Sequence, residues 1–369
     1  MNNKNLNKNL NNGITGPSIL NNEEEYIENI VIDIPDKKPI IAKFKIPAKP
    51  KHEHEVKMWD KINKFEERTW DKNKVGYKTG FESLDKAFDG GLKPGFIIIA
   101  ADSNIGKTAV ISQMAEQVAR LNNNVYVLDF SLDDPMVDKL SRVVSCANKV
   151  IINAVKSPLN YTQFPDMLAR RKNGINKLRA MTSSYAAYDA NDTTFIEDIE
   201  EIITSTLIDF EANGIKKNLV IFIDNFHDLN IKNRPDLQDK NKYDYIAQWA
   251  ADISIKYDIP FVCSAELKKL NSTRRPVLDD IRENVKIKYE AKAVMLVYNE
   301  VHYKGEGAEV YYERSDVNGK QPVLELHFAK NKISSFKGRL FFEFFPEMSY
   351  ISPSSEKASK AYLNNIYSS

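Results

Sequence analysis

The stretch "GFIIIAADSNIGKTAVISQMAEQVARL" constrains the fold of this chain more than any other. Its first seven residues, Gly95 to Ala101, carry no charge and read as a strand buried on both faces of a sheet. The following run from Lys107 has helical periodicity. Between them, Gly106-Lys107-Thr108 closes a phosphate loop of the form G-x-x-x-x-G-K-[ST], with Ala101 standing at the first glycine position. A loop between a buried strand and a helix start is where a phosphate cradle belongs, because free backbone N–H groups and the helix dipole converge there. The N–H groups of Ser103, Asn104, Ile105, Gly106 and Lys107 are therefore expected to face the β-phosphate of a nucleotide. Lys107 should reach the β- and γ-phosphates of ATP, and the Thr108 hydroxyl should ligate Mg²⁺. Ala101 fits that role if its φ is negative.

The rest of the chain supplies the sheet that such a loop requires. "NVYVLDFSL", "NLVIFIDNFHDL", "IPFVCSAEL", "AVMLVYNEVHY", "PVLELHFAK" and "GRLFFEFFP" are short apolar runs, the earlier ones separated by helical segments. That pattern predicts an α/β fold with a mostly parallel sheet covered on both faces. The last strands follow one another without helices, so an antiparallel edge is expected. "LVIFID" ends in Asp224, placed as the acid that holds the Mg²⁺ shell. "VLDFSLDDP" brings Asp129, Asp133 and Asp134 to the end of a neighbouring strand, the edge at which α/β sheets bind ligands. Of these, Asp133 is the candidate general base.

Outside that core the composition changes. Residues 1–22 are Asn- and Lys-rich with little apolar content, which predicts disorder. Residues 23–50 alternate apolar and polar positions around "PDKK", predicting a β-hairpin. Residues 51–74 are dense in charge but carry Val56, Trp59, Ile62 and Phe65 at three-residue spacing, an amphipathic linker helix. The nucleotide domain spans 75–353, and 354–369 reads as a weakly ordered C-terminal tail.

Formal charge is nearly balanced, with 52 basic and 51 acidic residues, so no global field marks a nucleic-acid or membrane partner. The chain holds no apolar run near the ~18 residues a membrane span needs, and its first residues lack a signal-peptide core. Cys146 and Cys263 sit in apolar-leaning surroundings, as reduced buried thiols do. A cytoplasmic protein of the host cell is expected. His52 and His54 belong to a solvated charge run, while His227, His302 and His327 stand alone.

Over residues 76–352 the motifs together resemble the motor domain of the DnaB family of replicative helicases, RecA-like hexameric ATPases of bacteria and phages. "KTGFESLDKAFDGGLKPGFIIIAADSNIGKT" is similar to the family's P-T-G-F-x-x-L-D and A-A-x-P-S-M-G-K-T, which also has alanine where the first glycine would stand. "VLDFSLDD" resembles F-S-L-E-M, and "VIFIDNFHDL" resembles I-D-Y-L-Q-L. "SAELKKLNSTRRPVLDDIREN" is similar to S-Q-L-N-R … R-P-x-x-x-D-L-R-E-S-G, and "FAKNKISS" to G-K-Q-R-N-G.

The resemblance implies a RecA-like P-loop fold and an ATP- and Mg²⁺-dependent DNA helicase working on single-stranded DNA as a ring, most simply a hexamer. A helicase loader or primase is an implied partner. It places Asp133 at the catalytic glutamate position and Glu266 at the γ-phosphate-sensing glutamine, where an anion needs Lys268, Lys269 or the metal to neutralise it. The arginine finger supplied across a subunit interface corresponds to Lys332, with Lys330 on the same edge. Lysine keeps the charge without the bidentate fork. The DNA-contact loop corresponds to Arg282, Glu283, Asn284 and Val285, with Arg274, Arg275, Lys286 and Lys288 nearby for phosphate contacts. The family's linker helix docks on the adjacent protomer, which would make Trp59, Ile62 and Phe65 interface anchors. The hairpin and helix stand where the family's helical N-terminal domain would be. Two other readings stay open. One is an assembly or regulatory protein of this fold with weakened hydrolysis, and the other is a RecA-like recombination ATPase.

Overall fold

The structure is a computed structural model that describes residues 26–32, 40–46, 50–70, 75–269, 273–282 and 286–368. The chain divides into two compact units, residues 1–70 and 71–369. In the first, β1 (Tyr26–Ile32) pairs antiparallel with β2 (Ile40–Ile46), Tyr26 opposite Ile46 and Ile32 opposite Ile40, as the alternation anticipated. The helix α1 (Glu53–Trp70) carries Glu53 and Glu55 in its first turn, where carboxylates oppose the helix dipole. Lys57 adds an i,i+4 ion pair to Glu53 at 2.7 Å. Val56 and Trp59 are half-buried, but Ile62 is exposed and Phe65 is 67% exposed. The segment 1–22 read as disordered lies outside the described residues.

The second unit opens with α2 (Glu82–Ala87), then β3 (Gly95–Ala101) and α3 (Lys107–Leu121). Next come β4 (Val125–Ser131), α4 (Met136–Asn148), α5 (Ile152–Lys156) and α6 (Pro165–Ala180). The strands β5 (Tyr185–Asp189), β6 (Asn218–Asp224) and β7 (Pro260–Glu266) alternate with α7 (Ile196–Ala212) and α8 (Asp239–Lys256). After the short α9 (Lys286–Glu290) come β8 (Ala293–Asn299) and α10 (Glu300–Lys304). The chain closes with β9 (Tyr311–Arg314), β10 (Val317–Asn331), β11 (Arg339–Phe345), β12 (Tyr350–Pro353) and α11 (Glu356–Ser368).

The strands form one sheet in the order β12-β11-β10-β8-β3-β7-β6-β4-β5, with β9 on β10. From β8 to β5 every pairing is parallel, whereas β10, β11 and β12 add an antiparallel edge. All seven residues of β3 are buried, and their alternation splits the core. Ile97 and Ile99 pack with Ile111, Met114 and Val118 of α3 on one face. Phe96 and Ile98 pack with Ile203 of α7 and Ile246 of α8 on the other. Each face is thus covered by helices, the arrangement that an uninterrupted apolar strand demands.

Two sequence expectations need correction. The segment after Pro353 is the helix α11, in which Tyr362 is only 8% exposed, packs with Val310, Val323 and Phe341, and donates its hydroxyl to the Tyr311 carbonyl at 2.8 Å. Its polar, lysine-bearing sequence hid an apolar face on which Ala358, Leu363 and Ile366 flank Tyr362. "AVMLVYNEVHY" does not run as one strand. Asn299 ends β8 and its side chain accepts the His302 N–H, capping α10. The strands β5, β9 and β12, four or five residues each, are too short to announce themselves by periodicity.

Candidate active site

The phosphate loop joins the C-terminal end of β3 to the first turn of α3. Ala101 is the last residue of β3, pairs in register with Glu266, and is absent from the residues with positive φ, so alanine costs nothing there. The loop's left-handed positions fall on Asn104 (φ 61°) and Gly106 (φ 113°). A Cβ on Gly106 would come within 3.2 Å of both Leu324 and Phe344, so the glycine serves conformation and space together. Ile105 is fully buried and pins the loop, while Ser103 and Asn104 face solvent. Lys107 is only 8% exposed and Thr108 is partly buried, both in the first turn of α3. Asp102 also belongs to the site: its carboxylate accepts the Ser103 N–H at 2.8 Å and the Tyr303 hydroxyl at 3.2 Å.

Asp224 ends β6 at 1% exposure, and Oδ1 accepts the Ser264 hydroxyl from β7. Its main-chain carbonyl accepts the N–H groups of Leu132 and Asp133, the latter at 3.3 Å, so the end of β6 sets where Asp133 sits. The three candidate acids, Asp129 within β4 and Asp133 and Asp134 after it, now separate. Asp129 is fully buried in an ion pair with Lys139 at 2.8 Å and accepts the Tyr185 hydroxyl at 2.6 Å. Asp134 pairs with Arg142 at 2.9 Å. Asp133 keeps a solvent-exposed side chain whose carboxyl is nevertheless raised, by partial desolvation first and then by Asp224, Asp134 and Glu266, against Lys107.

Asp228 is part of the same cluster and was not singled out from sequence. Burial, then the charges of Asp133, Glu266 and Asp224, raise its carboxyl to about 6 against Lys107, and Asn225 Nδ2 donates to it at 2.9 Å. His227, set aside above as solitary, lies between β6 and β7: its Nδ1 accepts the Glu266 N–H at 3.2 Å and its Nε2 faces the Arg282 carbonyl at 3.2 Å. The readable signal was position, since both residues follow Asp224 at the carboxyl edge of the sheet.

Glu266 is neutralised neither by Lys268 nor by Lys269. Arg282 pairs with it at 2.7 Å, while the Lys268 ammonium donates to the Asp279 carbonyl at 3.3 Å. The basic run is likewise committed internally. Arg274 holds Asp280 through two bonds of 2.7 Å each. Arg275 binds Glu325 at 2.7 Å and Glu300 at 3.0 Å and stacks on Tyr298 at 5.0 Å. Lys286 donates its N–H to Asp244 at 3.0 Å and its ammonium to Gln248 at 3.3 Å, and Lys288 pairs with Asp279. Glu283, Asn284 and Val285 lie outside the described residues. Lys332 is exposed, whereas the Lys330 ammonium donates to the carbonyls of Lys288 and Tyr289 at the end of α9 and is lowered to about 8, chiefly by burial. Lys330 is thereby turned to the main chain and not to a phosphate. Cys146 and Cys263 are buried free thiols, and burial pushes Cys146 up to about 12.

The donor set fits a hard divalent cation. Thr108 and Asp224 offer oxygen ligands. The crowding of Asp133, Asp224, Asp228 and Glu266, against which Lys107 is the cation that lowers both raised carboxyls, is a field that a cation would relieve.

A parallel sheet with a phosphate loop after its central strand and an acid at the end of a nearby strand defines a RecA-like ATPase fold. The family model described as "DnaB-like helicase C terminal domain" matches residues 76–343, and the chain belongs to that family. Replicative DNA helicase DnaB of Buchnera aphidicola subsp. Acyrthosiphon pisum is 24% identical over 256 residues, 68% of this chain and 51% of the relative. DnaB of B. aphidicola subsp. Schizaphis graminum is 24% identical over 307 residues, 81% of this chain and 60% of that protein. The chain thus spans about half to three-fifths of the length of these curated relatives. Among solved structures, one ATPase domain superposes with a TM-score of 0.67 at 18% identity, covering 81% of this chain and 99% of that one. A DnaB-like replicative helicase studied for its interactions with primase gives 0.63 at 18% identity, covering 80% and 66%. At that identity the two structures speak for the fold. Among the described residues no helix is long and apolar enough to cross a membrane.

Proposed function

We infer that this chain hydrolyses ATP and is the motor of a replicative-type DNA helicase that moves on single-stranded DNA as a ring. The observation that carries the reading is the meeting of Lys107, Asp224, Asp133 and Glu266 at the carboxyl edge of the sheet, with Asp129 and Asp134 committed elsewhere. Lys107 and the N–H groups of Ser103 to Lys107 hold the β- and γ-phosphates. Thr108 and Asp224 would hold Mg²⁺, which when bound neutralises charge on the phosphate oxygens. Asp133 accepts the proton of the attacking water. Glu266, paired with Arg282, faces the γ-phosphate end, and Lys332 of a neighbouring copy stabilises charge developing there. A hexamer, with a loader or primase as partner, is the assembly the family membership supports.

A second reading has its own observation. Arg274, Arg275 and Arg282 are tied to carboxylates of the same chain, so DNA phosphates must displace existing ion pairs. That favours a nucleotide-binding assembly or regulatory protein of this fold, with weak DNA contact and weakened hydrolysis.

Steady-state ATP hydrolysis with and without single-stranded DNA, beside Lys107→Ala, separates the two. Turnover stimulated by DNA and abolished in K107A is the expected result. Nucleotide binding without turnover in either condition would reject the motor in favour of the second reading.

A further inference from the structure

The nucleotide end of the sheet and the segment leading to residues 283–285 are joined by a histidine ring. His227 lies in the turn Phe226–Asp228 after β6, buried and held edge-on by Phe226 and Tyr243, with ring centroids 5.5 and 5.0 Å away. The Glu266 N–H can only donate, so Nδ1 must be the bare acceptor. The Arg282 carbonyl can only accept, so Nε2 must carry the proton. Two main-chain groups from different segments therefore select one neutral tautomer. Burial acts in the same direction, lowering the ring's affinity for a second proton.

The two segments that the ring touches are themselves laced together. Leu267 and Ile281 form an antiparallel bridge, the Arg282 N–H donates to the Glu266 carbonyl at 3.0 Å, and the Lys268 N–H donates to the Asp280 carbonyl at 2.7 Å. The Arg282–Glu266 ion pair completes the unit. Segment 273–282 is anchored at its other end by Arg274 on Asp280 and by Arg275 on Glu300 and Glu325. A displacement of Glu266 is thus carried into residues 278–282, and His227 is the group outside both segments that references them to the end of β6, where Asp224 lies.

We propose that His227 is a positioning residue that couples occupancy of the nucleotide site to the placement of segment 273–282, through simultaneous bonds to the Glu266 N–H and the Arg282 carbonyl. This rests on the nucleotide reading given above. The ring touches neither phosphate nor DNA in this role. It sets the distance between the strand end at the proposed nucleotide site and Arg282. Coupling of this kind needs a contiguous unit with both sites biasing one element, and the two-segment lace supplies it.

The test is hydrogen–deuterium exchange on the full chain, with and without Mg²⁺ and a non-hydrolysable ATP analogue, followed in peptides covering 95–110 and 273–282. In the wild type, nucleotide should protect the phosphate loop and change exchange across 273–282. His227→Leu fills the space but supplies neither bond. It should keep the phosphate-loop protection and lose the change at 273–282. His227→Gln carries an amide oxygen to accept from Glu266 and an N–H to donate to Arg282, and should restore that change, a rescue that mere packing would not require. Where H227L fails to fold, His227→Asn, too short to reach both partners, takes its place with the same expectation. Transmission to 273–282 undiminished in H227L or H227N would overturn the proposal while leaving the nucleotide reading intact. Absence of phosphate-loop protection in the wild type would instead overturn the nucleotide reading itself.

Discussion

At the scale of single residues, the proposed mechanism rests turnover most narrowly on Asp133 as the base. The family resemblance puts a glutamate at this position, and aspartate reaches one methylene less far. Its backbone N–H is held by the Asp224 carbonyl, so that reach is not freely adjustable. Asp133→Asn should lower kcat by about 100-fold or more while nucleotide affinity, read by fluorescence titration, stays near the wild-type value. The base works only deprotonated and its carboxyl is raised from 3.8, so the acid limb of the kcat/KM profile should lie above the ordinary aspartate range, with activity falling as pH falls. Asp228 gives a separate stability prediction. A carboxyl held at about 6 in the fold and near 3.8 when unfolded binds protons preferentially in the native state between those values, so stability falls as pH rises through that window. Asp228→Asn, which can still accept from Asn225, should stabilise the nucleotide-free protein by about 1–3 kcal/mol above pH 6, a gain that vanishes near pH 4 in pH-resolved urea denaturation.

At the scale of elements, α11 shows how little sequence signal a docked helix needs. Tyr362 covers Val310, Val323 and Phe341 and ties its hydroxyl to Tyr311, although the helix around it is polar. Tyr362→Ala should destabilise the second unit by about 2–4 kcal/mol, visible as a lowered Tm, because it opens a cavity over β10 and β11 and removes a part-buried hydrogen bond. The strands were legible where they were continuous: β3, β6 and β7 begin and end at or beside the residues that apolar runs and flanking glycine or proline mark. β8 was overread into α10 because Val301 and Tyr303 extend the apolar pattern while Asn299, the cap, ends the strand locally. Helix capping is a short-range polar event, and hydrophobic periodicity does not record it.

At the scale of the whole molecule, α1 carries the assembly question. Ile62 and Phe65 are exposed on this chain, and an amphipathic stripe of that kind is an anchor when a second protomer covers it. Phe65→Ser should shift the protein from the proposed ring to smaller species in light scattering after size exclusion, with a larger shift at lower protein concentration. ATP turnover should fall with it, because in the proposed ring Lys332 serves a neighbour's site. An unchanged mass distribution would remove α1 from the interface.

The amino-acid sequence alone determined the α/β sheet, the phosphate loop with Lys107 and Thr108, and the strand-end acid Asp224. Buried parallel strands must be apolar throughout, and a phosphate cradle must follow one of them directly, so both leave local patterns. Only the tertiary structure decided which charges are free. Asp133 is already the candidate base among three neighbouring acids in the sequence, but only the structure shows Asp129 and Asp134 claimed by Lys139 and Arg142, and Arg274, Arg275 and Arg282 by Asp280, Glu325 and Glu266. The links from Asp129 to Tyr185 and from Arg275 to Glu325 join residues ~50 or more positions apart in sequence, where no local periodicity operates. His227 is the clearest case. Nothing in "DNFHDL" distinguishes its imidazole from any other, and its part in the site exists only because β6 and β7 lie side by side.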